Sequence, residues 1–95
     1  MIINKKLIKS IADCCESPGE FITAIMALKG LNCEDVSKIK GCTPIYITQI
    51  KHNLVGMSAK ICLELSEIFD IDPYILGRLN SDYKLRKLIE KGKEE

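Results

Sequence analysis

The chain has 95 residues, 46 % of them apolar, and a formal net charge of +1 at pH 7. That length and apolar content suit one compact domain around a single helical core. The near-neutral balance lacks the basic excess of many nucleic-acid-binding domains, and no apolar run is long enough to cross a bilayer.

Near the N-terminus Asn4, Lys5, Lys6 and Lys9 interrupt the apolar residues, and no small-residue cleavage site follows. The pattern is not that of a signal peptide, so the expected compartment is the cytoplasm and no membrane partner is expected. The five cysteines (Cys14, Cys15, Cys33, Cys42, Cys62) are odd in number and form no Cys-x-x-Cys pair, and His52 is the single histidine. Reduced, free thiols are expected, with no metal site and no cofactor.

Residues 1–17 read as an extension, in which Ile3, Leu7, Ile11 and Cys14 share one face of a short amphipathic helix. Ser17-Pro18-Gly19-Glu20 restarts the chain: serine caps, proline suits the first helical position, and glutamate completes a capping box. The domain proper spans 18–91. Its first helix buries Phe21, Ile22, Ile25 and Met26, with Leu28 at the margin, and stops at Gly30. Asn32 caps the second, where Glu34 and Asp35 favour the positive end of the dipole, Val36 and Ile39 face inward, and Gly41 closes.

Thr43 caps a third helix opened by Pro44, with Ile47 and Ile50 facing inward. A fourth begins at Ser58 and carries Ile61, Cys62, Leu65, Ile68 and Phe69. The fifth follows Asp72-Pro73 and carries Ile75, Leu76, Leu79, Tyr83, Leu85, Leu88 and Ile89, leaving 92–95 as a frayed end. The predicted core includes Phe21, Ile25, Val36, Ile39, Ile47, Ile50, Leu65 and Phe69. No segment reads as a strand.

Two short helices broken by a glycine turn, from Leu31 to Ile50, are how a helix-turn-helix is written in sequence. Steps of about 100° per residue place Ile45, Thr48, Gln49 and His52 opposite the buried Ile47 and Ile50. In such a motif the N-terminal residues of the outward face meet base edges. Thr43, Pro44, Ile45 and Gln49 are therefore the base-reading candidates: Gln49 can pair bidentately with adenine, and Thr43 or Ile45 can touch a thymine methyl. Tyr46, Lys51, His52 and Asn53 are candidates for phosphate contacts that set register without reading sequence.

Taken together, Pro18 to Tyr83 resembles the XRE class of helix-turn-helix proteins, the family of phage repressors and Cro, and within it most closely the HigA-type antitoxins. The resemblance rests on Pro18-Gly19-Glu20-Phe21-Ile22, on the spacing to Gly30-Leu31-Asn32, on Ser58 to Leu65 with Cys62 in place of an alanine, and on Ile75-Leu76 to Tyr83. It covers about two thirds of the chain. It implies an all-α, five-helix phage-repressor-like domain preceded by one extra N-terminal helix. It further implies a DNA-binding repressor acting on double-stranded operator DNA, a homodimer, and a toxin protein as partner. On the same ground Asn32 and Cys33, at the start of the second helix, would lie beside the DNA backbone.

The sequence departs from the family at Cys33 (often glutamine), at His52-Asn53 (usually Asn-Gly), at Leu54 (often basic) and at Leu76 (often aromatic). The apolar excess of the last helix makes Leu79, Tyr83, Leu88 and Ile89 the expected dimer seam, with plain core packing as the alternative. A second reading of the whole keeps the scaffold and drops the DNA. Ile45 beside Pro44 and Tyr46 also suits a protein-binding patch, and one lysine in the segment gives weak counterion release. An enzyme is disfavoured, since His52 has no assured carboxylate or cysteine partner.

Overall fold

The computed structural model describes residues 5–40 and 42–93, apart from the side chains of Ile39, Lys40 and Lys93. Among these residues the chain forms six helices and no strand: α1 Lys5–Cys14, α2 Pro18–Lys29, α3 Cys33–Lys40, α4 Pro44–Lys51, α5 Ala59–Phe69 and α6 Pro73–Lys93. None is long and apolar enough to span a membrane.

Polar residues set where the helices start. Ser17 accepts the Glu20 amide at 3.3 Å, while Glu20 Oε2 accepts the Glu16 amide at 3.0 Å, one residue ahead of the cap itself. Asn32 and Asp35 form the full reciprocal box: Asn32 Oδ1 accepts the Asp35 amide at 2.8 Å and Asp35 Oδ2 the Asn32 amide at 3.0 Å. Ser58 accepts the Ile61 amide at 3.2 Å at the start of α5, and Asp72 Oδ1 accepts the Tyr74 amide at 3.0 Å at the start of α6. Gly30 (φ 67°) ends α2 in the left-handed region, and the Leu31 amide returns to the Met26 carbonyl at 2.9 Å. Gly41, expected to close α3, lies outside the described residues.

The apolar faces of all six helices meet in one core, where Phe21, Ile25, Val36, Phe69 and Leu76 are wholly buried. Ile47, Ile50 and Leu65 are buried as the periodicity predicts; the side chain of Ile39 lies outside the described residues. One expectation needs correction. On α1 the buried residues are Ile8 and Ala12, whereas Leu7 is 42 % exposed and Cys14 is exposed. This helix packs against both α2 and α6, and Ala12 supplies the small side chain that a close approach needs. Ile3 lies outside the described residues.

Met57, in the irregular stretch before α5, is as buried as the helical core. Gly92 and Lys93 continue α6, and Glu94 and Glu95 lie outside the described residues. The outer half of α6 runs past the core, so Leu85, Leu88 and Ile89 are exposed.

Candidate nucleic-acid interface

Helix α4 is built to present one face. Thr43, in extended backbone conformation, accepts the Tyr46 amide on its Oγ1 at 3.2 Å, and Pro44 occupies the first turn, where its missing N–H costs nothing. Ile47 and Ile50 anchor the helix in the core. Thr43, Pro44, Ile45, Thr48 and His52 are exposed, and Tyr46, Gln49 and Lys51 are half-buried. Ile45 is 70 % exposed and Leu54, just past the helix, 73 %. Both are large apolar side chains left in solvent, and for Ile45 this is the outward position that helical geometry predicts.

The start of α3 lies beside the middle of α4. Thr48 Oγ1 is 3.1 Å from the Pro44 carbonyl and 3.5 Å from Cys33 Sγ. One hydroxyl proton serves one acceptor at a time, and the carbonyl is the shorter and stronger of the two. Thr48 therefore spends its donor inside the protein. Cys33 is half-buried and Asn32, its side chain committed to the α3 cap, is exposed.

Asn53 departs most from its expected part. Its amide oxygen accepts the Gly19 N–H at 3.0 Å and its amide nitrogen donates to Ser17 Oγ at 3.0 Å. Both ends of the side chain are thus used within the fold rather than offered to a phosphate. Its φ of 58° is the left-handed conformation that asparagine tolerates better than most residues. Gly19 approaches so closely that a Cβ there would overlap the Lys51 carbonyl. The exit of α4 is in this way pinned to the entry of α2.

Sequence reasoning passed over a second polar tie. Asn80 is buried and donates to the Met57 carbonyl at 2.8 Å, and Lys84 Nζ reaches the same oxygen at 3.3 Å. The available signal was Asn80 itself, four residues after Leu76 on the buried side of α6. The expected dimer seam divides in two. Leu79 packs against the core and Tyr83 is half-buried, with Lys87 Nζ 5.4 Å from its ring centroid, while Leu88 and Ile89 are exposed. At about 100° per residue, Leu79 and Leu88 point to opposite sides of α6.

The described residues contain no cluster of three His, Cys, Asp or Glu side chains suited to a metal ion. The thiols differ in exposure. Burial raises the Cys15 thiol above its ordinary value of 9.0, with Glu20 and Cys14 adding to the effect, and burial raises Cys62 against the opposing influence of Lys84. Iodoacetamide at mildly alkaline pH is expected to label exposed Cys14 first and buried Cys62 last; equal rates in the folded protein would contradict this order. Because the folded state holds these two protons longer, their contribution to stability is complete below 9.0 and declines as the pH rises past it.

No protein-family model, curated protein or solved structure matches this chain.

Proposed function

We propose that the chain is a sequence-specific DNA-binding regulator of the repressor class, with α3 and α4 as a helix-turn-helix and α4 as the reading helix. The observation that carries this reading is the form of α4: a short, capped helix held by Ile47 and Ile50 that turns Thr43, Pro44, Ile45 and Thr48 outward at its N-terminal end. Gln49, half-buried at the edge of that face, is the residue suited to adenine. Lys51 and His52 are suited to phosphate, as is the exposed start of α3 at Asn32.

A second copy doubles the phosphate contacts and offsets the low net charge. The exposed Leu85 and Ile89 on α6 supply apolar surface for that contact. From the family resemblance we further infer an antitoxin of a toxin–antitoxin module or a phage-type regulator. A short, basic toxin reading frame next to this one distinguishes the first from the second.

The deciding experiment titrates the protein against its own upstream DNA at two salt concentrations, with three variants. Gln49→Ala is expected to cost about 1–3 kcal/mol on the operator and to relax preference at one base pair. Lys51→Ala is expected to weaken binding almost equally on all sequences and to flatten the salt dependence. Ile45→Ala is expected to act at one thymine position. Absence of any effect, with no preference of the unaltered protein for its own promoter, would refute the regulator.

The exposure of Ile45 and Leu54 favours one competitor, a scaffold whose α4 face meets another protein. In that case Ile45→Ala abolishes a protein complex and leaves DNA untouched.

A further inference from the structure

Between α6 and the stretch 53–57 runs a half-open groove of about 450 Å³. Pro18, Ile50, Val55, Met57, Tyr83 and Leu88 supply its apolar lining. Lys84, Lys87 and Lys91, spaced three and four residues apart, stand along one side of α6 and also line it; no acidic side chain among the described residues does. The lysines are only partly neutralised. Lys84 bonds a carbonyl oxygen, Lys87 pairs with Glu90 at 3.4 Å, and Lys91 has no carboxylate partner among the described residues.

We propose that this groove is a docking site for an acidic amphipathic helix of a partner protein. An apolar floor with a cationic rim, one lysine per turn, complements a helix that carries apolar anchors on one face and carboxylates beside them. Other occupants fit less well. A second copy would bring an α6 that is equally basic, with five basic residues against Glu90 alone between Tyr83 and Lys93. Leu85 and Ile89, on the other flank of α6, remain available for contact between copies. Leu88 is 67 % exposed, whereas a small ligand needs a site that covers most of its surface. A nucleic-acid backbone would gain from the lysines but would desolvate phosphates against the apolar lining. The proposal is independent of the DNA-reading role of α4.

The test measures fluorescence anisotropy of the full chain with three labelled peptides of about 18 residues, roughly five helical turns. The first carries leucines at i, i+3 and i+7 flanked by glutamates, the second has lysine for each glutamate, and the third has serine for each leucine. The first is expected to bind in the micromolar range, more weakly at high salt, and about tenfold more weakly to the exposed-site double variant K87Q/K91Q. Amide resonances of Val55, Gly56 and Leu88 are expected to shift on binding. An unchanged melting temperature of the double variant keeps this loss distinct from unfolding.

Equal binding of the serine peptide would reduce the groove to surface charge and overturn the proposal. So would an unaffected K87Q/K91Q variant, or no binding up to roughly millimolar peptide. Decanoate displacing the peptide and occupying the groove more tightly would assign it to a small amphipathic anion instead.

Discussion

Alanine at Gly19 is expected to destabilise the protein by about 3 kcal/mol, the upper part of the usual range for overpacking. The added methyl has nowhere to go. It would overlap the Lys51 carbonyl and stand 2.8 Å from Asn53 Oδ1, and backbone cannot yield as the end of a flexible side chain can. Moving α2 away would also break the hydrogen bond from Gly19 to Asn53. In a domain of this size such a loss lowers the melting temperature by roughly 12–24 °C. Gly77 supplies the control, since a Cβ there meets nothing within 4 Å. Gly77→Ala, inside α6, is expected to leave stability unchanged or raise it by up to about 1 kcal/mol. Equal melting temperatures for the Gly19 variant and the parent would show that α2 and the exit of α4 are not pressed together.

Ile47→Ala is expected to cost about 2–5 kcal/mol, the range for emptying a buried isoleucine site. Ile47 is 1 % exposed and holds α4 in the core, whereas Ile45, two residues earlier, is 70 % exposed. Its replacement by alanine should change stability by no more than about 0.5 kcal/mol. Urea midpoints of the two variants therefore read the rotation of α4 about its own axis. A larger loss at position 45 than at 47 would mean that α4 turns a different face to the core, and the outward stripe would have to be redrawn.

The helices from α2 onward were legible because each follows a residue whose side chain can hold an orphan amide and continues with a 3.6-residue apolar repeat. Ser17, Asn32, Thr43 and Ser58 all take that part. What the sequence left open depends on contacts between distant segments. The face of α1 depends on which helices it meets, so local periodicity points to Leu7 where Ile8 is buried. Met57 lies in a stretch without periodicity, and only the donors of Asn80 and Lys84 reveal that its backbone is enclosed. In the candidate site, the orientation of Ile45 and Thr48 followed from helical geometry, but the fate of Asn53 did not. Its partners, Ser17 and Gly19, are more than thirty residues away in the chain.

That long-range tie limits what can be carried elsewhere. A fragment from Leu31 to Leu54 keeps every residue proposed to read DNA, yet it lacks Ser17, Gly19 and the core that grips Ile47 and Ile50. Its two helices have eight residues each, well short of the roughly 12–15 at which isolated helices become even marginal in water. Grafted onto another protein or synthesised as a peptide, the segment would lose its shape. Its proposed reading face is a property of the whole domain, and a portable version has to bring along the start of α2.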